Sequence, residues 1–462
     1  MRVVLVNAGL PADVAPCLRA NAYPPLSLIY LATYLRQEHP TIDIKLLDDQ
    51  LGDPIEPGFF SDCGLIGISA NTLTYPRAIE IAQNLKATGV KAPIVLGGIH
   101  ATLLPVQILL NRDCFDFVVA GQGEISLSRL AGGERPDSVP NVYWATSGRV
   151  HRPHDTEFKS IGALPVPDFS FLPLNRYAAR FGRHYRNKAA HRPVAIVSST
   201  GCDWRSRCGG CFFCSIPNLP CSRLNPEEFW HAIRQIERAT KATFFWDVSD
   251  TFTSDTDWLE MVAALRPSDF EGHFHAYARA NDVRTTRVVR GLKKIGVVEV
   301  LVGAESFDDR VLARTNKGTT SAQILRGIQL LSDYGIGIAL SLIFGLPGEN
   351  AESLKRTLAV CDELRGRPEI VEMHASVITP LPGSRLFDEL FHDEPNLGHL
   401  WNTDTVPHDE VLDRYVSRFT ECTIEDLFEA FLAVDNMFPS AGPFFMRKDS
   451  PAFARLGYRG VI

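Results

Sequence analysis

The chain has 462 residues, enough for two to three domains at roughly 150 residues each. Hydrophobic residues make up 45% and charged residues 22%, which excludes a collagen-like, mucin-like or wholly disordered polymer. Forty-seven Lys+Arg against 54 Asp+Glu give a formal net charge of −7, which argues against a protein that grips nucleic acid by bulk electrostatics.

The opening MRVVLVNAGL reads as a strand, without the segments of a signal peptide. No run of ~18 apolar residues follows anywhere, so no membrane insertion is expected and the expected location is cytoplasmic. Strand and helix signals then alternate. Strands are predicted at Arg2 to Val6, Ile42 to Leu47, Leu65 to Ser69, Pro93 to Leu96 and Phe117 to Ala120. Helices are predicted at Pro25 to Arg36 and Pro76 to Lys86. This alternation predicts an open parallel sheet wound on both faces, with ligands at the carboxyl ends of the strands. Those ends carry Asn7, Asn71 to Tyr75, Gly97 to Thr102 and Gly121 to Glu124.

Residues 136–190 read as a linker, Pro-rich at Leu164 to Pro167 and basic from Arg176 to Arg192. Arg180, Arg183, His184, Arg186 and Lys188 of that stretch are read as a solvated face. From Pro193 a second alternation begins. Strands are predicted at Val194 to Ser198, Ala242 to Trp246, His273 to Ala278, Val298 to Val302, Gly337 to Ile343 and Val371 to Ile378. The helices between them are Pro226 to Ala239, Asp257 to Leu265, Arg284 to Ile295, Ser321 to Tyr334 and Ala351 to Leu364. Six such units suggest a partial or full parallel barrel, whose chemistry belongs at the C-terminal ends of the strands. The tail reads as a small helical appendage, with a helix from Glu425 to Phe438.

Five of the ten cysteines fall between positions 202 and 221, directly after the first strand of the second alternation. In a reducing compartment such a cluster reads as a metal site before it reads as disulfides. Three thiolates on a loop can hold three irons of a 4Fe–4S cluster and leave the fourth open. Zinc is the competing reading, but no second C-x2-C or His pair lies nearby to complete its four ligands.

The segment Gly201-Cys202 to Cys211-Phe212-Phe213-Cys214-Ser215 resembles the cluster motif of the radical S-adenosylmethionine enzymes, C-x3-C-x2-C with an aromatic before the last Cys. The departure is an eight-residue gap in place of three. Related maturases of ribosomal peptides carry such an insertion with a Trp soon after the first Cys, as Trp204 stands here. The resemblance implies Cys202, Cys211 and Cys214 as ligands, with Cys202, Cys208 and Cys211 as the competing set. It also implies that the open iron binds the amino and carboxylate groups of S-adenosylmethionine, that one electron cleaves the S–C5′ bond, and that the 5′-deoxyadenosyl radical abstracts a hydrogen atom.

Further landmarks follow in family order. Phe244 to Phe252, with Asp247, resembles the second-strand motif; Arg279 a third-strand arginine; Gly303-Ala304-Glu305-Ser306 the fourth-strand motif, followed by Asn316-Lys317-Gly318-Thr319. Leu342 to Glu349, with Ile343 and Gly345, resembles the adenine-lining fifth strand, and Pro380 to Ser384 the turn after the last. The implied S-adenosylmethionine contacts are Phe213, Asp247, Arg279, Glu305, Ile343 and Gly345. For Arg279 and Glu305 the competing reading is an ion-paired strand end.

Residues 1–135 resemble the cobalamin-binding domain that precedes the radical domain in one large subfamily. Pro24 to Leu28, Gly97 to Thr102 and Gly121 to Glu124 carry that likeness. It implies cobalamin contacts at Asn7, Thr72, Gly97, Gly98, His100, Gly121, Gly123 and Glu124. No Asp-x-His-x-x-Gly stretch supplies a His to cobalt, and His100 also reads as a structural histidine.

The expected fold is therefore α/β: a Rossmann-like cobalamin-binding domain (1–135), a linker (136–190), a partial (β/α)6 radical barrel (191–390) and a helical cap (391–462). The implied activity is C-methylation of a natural product or peptide. Radical cyclisation, rearrangement or oxidation is the alternative within the class, and a non-catalytic cobalamin- or redox-responsive regulator the alternative outside it. The expected partners are a small-molecule or peptide substrate and an external electron donor such as flavodoxin or ferredoxin. Tail aromatics Trp401, Phe419, Phe444 and Phe445 read as substrate contacts or as core.

Overall fold

The computed structural model describes residues 1–11, 23–184, 192–393 and 408–438. Arg186, Lys188, Trp401, Phe444 and Phe445 lie outside the described residues. Contacts divide the described chain into one unit of residues 1–11, 23–183 and 391–393, and a second of 184, 192–390 and 408–438.

The first unit is a seven-stranded sheet. Its elements are β1 (Arg2–Asn7), α1 (Leu26–Glu38), β2 (Asp43–Asp48), β3 (Cys63–Ser69), α2 (Tyr75–Ala87), β4 (Ile94–Gly97), α3 (Ile99–Leu103), α4 (Pro105–Asn111), β5 (Phe117–Val119), α5 (Glu124–Ala131), β6 (Val142–Thr146), β7 (Arg149–His151) and α6 (Leu174–His184). The strand order is β2-β1-β3-β4-β5-β6-β7, parallel through β5 and antiparallel beyond it. Val3, Val4, Leu5 and Val6 are all fully buried, as an unbroken apolar run must be when helices cover both faces of a strand. The order reverses at β1, which has β2 on one side and β3 on the other. The crevice outside the carboxyl ends of β1 and β3 is thus the topological switch point, where doubly wound sheets bind ligands.

The linker expected over 136–190 is corrected here. Tyr143 to His151 forms a hairpin that extends this sheet. Thr146 pairs with Arg149 across the two-residue turn Ser147-Gly148, both residues left-handed (φ 50° and 76°), the geometry that matches strand twist. In the described part of the basic stretch Arg176 and Arg192 are exposed and Arg180 is half-buried, and side chains of this stretch also bind the sheet. Tyr177 donates to Asp48 Oδ2 (2.7 Å), Arg176 pairs with Asp53, and Arg180 donates to the Gln50 carbonyl. These contacts pin α6 across the end of β2.

The second unit runs β8 (Pro193–Ile196), β9 (Ser199–Thr200), α7 (Asp203–Cys208), β10 (Ser222–Arg223), α8 (Pro226–Thr240), β11 (Phe244–Asp247), α9 (Thr256–Ala264), β12 (His273–Arg279), α10 (Thr286–Ile295), β13 (Val297–Glu305), α11 (Asp309–Arg314), α12 (Ser321–Asp333), β14 (Gly337–Phe344), α13 (Ala351–Leu364), β15 (Ile370–Val377), α14 (Arg385–Asp393), α15 (His408–Phe419) and α16 (Ile424–Met437). Six parallel strands lie in the order β8-β11-β12-β13-β14-β15, each beside its predecessor, with helices as crossovers. This is the partial (β/α)6 barrel. Capping boxes at Asn225/Glu228, Thr320/Gln323 and Asn350/Ser353 start three of its helices, so side chains satisfy two backbone N–H groups at each start. Phe229, Trp230, Phe245, Phe270 and Phe274 pack edge-on or tilted between helices and sheet, on the face away from the barrel interior. In the described part of the tail, residues 408–438, two helices form, with α16 packed over β15. Among the described residues no helix is long and apolar enough to cross a membrane.

Candidate active site

The cysteine segment starts where β8 ends. β9 pairs antiparallel with β10, which sets Cys221 against Gly201. Gly201 is left-handed (φ 77°), and a Cβ there would stand 3.0 Å from the Cys221 Cα, so glycine is required. The long gap is not all loop, contrary to expectation. Asp203–Cys208 forms α7, which Gly209 ends in the left-handed conformation. This helix splits the thiols into two kinds. Cys208 and Cys221 are exposed, whereas Cys202, Cys211 and Cys214 are half-buried. Burial pushes the Cys211 thiol up to about 11, against the opposing field of Lys317, and pushes Cys214 up as well. Cys211 feels the charge of Cys214, and Cys214 that of Cys202.

A loop after α11 holds this segment in place. Asn316 is left-handed (φ 53°), and its side-chain amide donates to the carbonyls of Cys208 (2.9 Å) and Gly210 (2.7 Å). Its own carbonyl accepts from Trp204 Nε1 (2.7 Å), and Thr315 O accepts from Phe212 N (2.8 Å). The Trp204 ring lies against the Arg279 guanidinium, 4.2 Å from its centroid. Arg205 donates to the carbonyls of Cys214 (3.0 Å) and Gly383 (2.8 Å), which ties the last cysteine to the turn after β15. Sequence reasoning missed Arg205 and Asn316 as scaffold. Their only local signal is position: one sits beside Trp204, the other opens the Asn-Lys-Gly-Thr run.

Glu305 ends β13 at a register shift and is itself left-handed (φ 64°), a strained conformation for a residue with a side chain. Its carboxylate pairs with Lys317, and both side chains are 7% exposed. Gly303 lies beneath them; a Cβ there would meet Glu305 Oε1 and Lys317 Nζ at 2.5 Å. Glu305 is thus ion-paired, yet its Oε2 has no partner. Buried Arg279 Nε, Asn281 Oδ1 and Thr319 Oγ1 have none either, although Arg279 Nη2 donates to Lys317 O (2.6 Å). Buried polar groups are normally satisfied, so this set of orphans describes a polar cradle at the ends of β12 and β13. Phe213 lies 5.8 Å from Lys317 Nζ.

Asp247 is fully buried at the end of β11 and accepts from Ser249 N (2.9 Å), with Oδ2 unpartnered; burial pushes its carboxyl up. Ile343 is half-buried on β14. Gly345 turns left-handed after it (φ 95°), and its N–H donates to Glu349, whose buried carboxyl is pushed up to about 8.

In the first unit the other sequence candidates do fall along one edge. Asn7 ends β1, Thr72 follows β3, Gly97 ends β4, Gly121 and Gly123 lie between β5 and α5, and Glu124 opens α5. Gly97 is half-buried with nothing within 4 Å of a Cβ position, which leaves room for a flat ring. Gly98 (φ 94°) is tight instead: a Cβ would meet the Ala70 carbonyl at 2.4 Å. Asn7 donates to Asp48 (2.8 Å), and burial pushes the Glu124 carboxyl up to about 7.

His100 is fully buried. It stacks on Tyr75 with centroids 4.1 Å apart and meets Thr72 Oγ1 at 3.2 Å. Burial lowers its pKa to about 3. Between pH 6.5 and 3 the unfolded chain takes up a proton that the folded ring refuses, so stability falls as pH drops through this window. The loss is about 2 kcal/mol at pH 5. His100→Phe keeps the stack and removes the proton site. Denaturant melts at pH 5 and 7.5 are expected to show a shallower acid dependence than the wild type; an unchanged slope would contradict this.

Two family models match. Residues 196–361 match the radical SAM superfamily, and residues 19–131 the B12 binding domain. An uncharacterized methyltransferase of Pyrococcus horikoshii is 26% identical over 417 residues, covering 84% of this chain and 83% of its own length. The anaerobic magnesium-protoporphyrin IX monomethyl ester cyclase of Rubrivivax gelatinosus is 25% identical, covering 91% of this chain and 77% of its own. The cobalamin-dependent radical enzyme OxsB, solved with aqua-cobalamin and S-adenosylmethionine, superposes with a TM-score of 0.64 at 20% identity over 86% of this chain. The chain spans 56% of the length of OxsB.

The chain is a radical SAM enzyme with a B12-binding domain. Its cofactors are a 4Fe–4S cluster, S-adenosylmethionine and cobalamin. The residues fit them. Free thiols are the right donors for iron, orphaned polar atoms surround Glu305, and the edge at Gly97 is open. Among the described residues no three His, Cys, Asp or Glu are placed to hold a single metal ion.

Proposed function

We propose that this chain methylates a carbon of a small-molecule or peptide substrate. One observation carries the reading. The unpartnered Glu305 Oε2 and Arg279 Nε stand in the same unit as the half-buried Cys202, Cys211 and Cys214, on a chain that also holds a B12-binding domain. When bound, the cluster supplies the electron that breaks the S–C5′ bond of S-adenosylmethionine, and cobalamin supplies the methyl group. Cys202, Cys211 and Cys214 would hold three irons. Glu305 would accept a hydrogen bond from the methionyl ammonium through Oε2, and Arg279 would meet its carboxylate or a ribose hydroxyl. Ile343 and the turn at Gly345 would line the adenine, with Phe213 and Asp247 supporting the pocket. Thr72, Gly97, Gly98, Gly121, Gly123 and Glu124 would border the corrin, with Asn7 and His100 behind them. No His of a cobalt-binding motif is available to the metal. An external electron donor such as flavodoxin or ferredoxin would deliver the electron, in the cytoplasm, where thiols stay reduced. Radical cyclisation is the second reading, supported by the likeness to the cyclase.

The test is anaerobic reconstitution with iron, sulfide and hydroxocobalamin, followed by S-adenosylmethionine and a strong reductant. Iron near four per chain, bound cobalt and 5′-deoxyadenosine are expected, with a methylated product on substrate addition. Zinc in place of iron would end the radical reading. Cleavage and turnover without cobalamin would leave a radical enzyme and remove methyl transfer.

A further inference from the structure

The inner face of β12 to β15 carries a polar feature that the cofactor contacts leave unused. Arg279 of β12 pairs with Gly303 of β13, Gly303 with Ser341 of β14, and Ser341 with His374 of β15. Residues in register lie on the same face, so these four form one row across four strands. The next row toward the strand starts is Tyr277, Leu301, Ala339 and Glu372. The opposite face, with Ala278, Val302, Leu340 and Met373, is buried. β15 shows this split clearly: Met373, Ala375 and Val377 are buried, while Glu372, His374 and Ser376 are half-buried.

Parallel strands lie roughly 4.8 Å apart, so His374 stands two strands, roughly 10 Å, from Gly303. Over Gly303 lies the Glu305–Lys317 pair. Between them the wall carries only Ser341, which leaves its floor low. His374 Nε2 meets Glu372 Oε2 at 3.2 Å, with side chains 27% and 23% exposed. A second His–Glu pair in the same barrel sets the contrast. His275 Nε2 and Glu299 Oε1, one row deeper than Tyr277, are 3.6 Å apart and 1% and 5% exposed. A pair that only holds strands together is sealed in this way. The Glu372–His374 pair stays open, level with Arg279.

We infer that Glu372 and His374 form the polar anchor of the substrate pocket, and that the substrate carries a hydroxyl or amino group rather than being a hydrocarbon lipid. With the His374 proton on Nε2, toward Glu372 Oε2, the carboxylate would fix the ring and its tautomer. Nδ1 is then an acceptor, and it takes the O–H or N–H of the substrate. A substrate lacking that donor leaves Nδ1 and the pair desolvated without return, which is how such sites reject apolar analogues. This assignment rests on the proposed methyl transfer, and the experiment separates the two.

Holoenzyme is given S-adenosylmethionine 13C-labelled at its methyl group, with extracts of the source organism's cells grown in deuterated medium. The extracts are split into a water-soluble pool and a lipid pool. Deuterium in 5′-deoxyadenosine reports hydrogen abstraction, and 13C on an extract compound reports methyl transfer. Label is expected from the water-soluble pool, on a compound bearing O–H or N–H. His374→Phe is expected to lower kcat/KM about 10- to 100-fold with a raised KM, and His374→Gln to retain more. Glu372→Gln, expected to lose about 10-fold, serves as second variant should His374→Phe not fold. Label from the lipid pool alone, label from neither pool, or His374→Phe turning over the polar compound at the wild-type rate overturns the inference. Deuterium from the water-soluble pool without 13C refutes methyl transfer and leaves the substrate class standing.

Discussion

Cys214→Ala and Cys211→Ala are expected to reduce 5′-deoxyadenosine formation to background, while Cys208→Ala stays within about twofold of the wild type. The two candidate ligand sets differ only in whether Cys214 or Cys208 joins Cys202 and Cys211. Burial favours Cys214. It is half-buried beside the charge of Cys202, whereas Cys208 is exposed at the end of α7. Its carbonyl is fixed by Arg205, which also grips the turn at Gly383. The Cys208 carbonyl is fixed instead by Asn316, and that contact survives any change of side chain. Both backbones are held, so burial decides: a ligand must lie where the protein excludes water, because solvent exposure tunes the cluster. Iron content, visible absorption and product chromatography on the three variants measure the difference. Loss of iron in Cys208→Ala with retention in Cys214→Ala would reverse the ligand assignment.

What was legible in the sequence was local. The run Val3 to Val6 reads as a covered parallel strand because its burial is set by its own residue types. The helix expected at Ala351 to Leu364 begins where the sequence places it, since Asn350 caps it through a side chain three residues from its partner. The cysteine segment announced itself because its residues are contiguous. The hairpin at Val142 to His151 was lost among polar residues, though Ser147-Gly148 is a two-residue turn. The pinning of α6 could not be read, because Tyr177 and Asp48 stand 129 positions apart. The same holds for the site. Glu305 and Arg279 were recognisable by motif, but the Asn316 brace depends on a loop that folds back about a hundred positions, and the Arg279–Gly303–Ser341–His374 row exists only through strand register.

Lys317→Met alone is expected to cost about 3–5 kcal/mol of local stability around β13, while Lys317→Met with Glu305→Gln together returns most of it. The pair is buried at 7% exposure on both sides, where removing one partner leaves a charge with neither water nor counter-ion. The double change removes both charges, and the desolvation cost goes with them. Hydrogen exchange of the β13 amides reads this locally, which matters in a chain of two units where global unfolding need not be two-state. Binding should move differently from stability. With Glu305→Gln the side chain at that position is neutral and no longer attracts an ammonium, so S-adenosylmethionine affinity stays low even as β13 recovers. The charge of Lys317 also favours the Cys211 thiolate against the effect of burial, so its loss should slow iron uptake in both variants. If stability and affinity recover together in the double variant, the pair is structural and Glu305 does not meet S-adenosylmethionine. If they part, the strained backbone at Glu305 is aimed at a ligand, and Lys317 is the cation that holds its carboxylate in place until that ligand arrives.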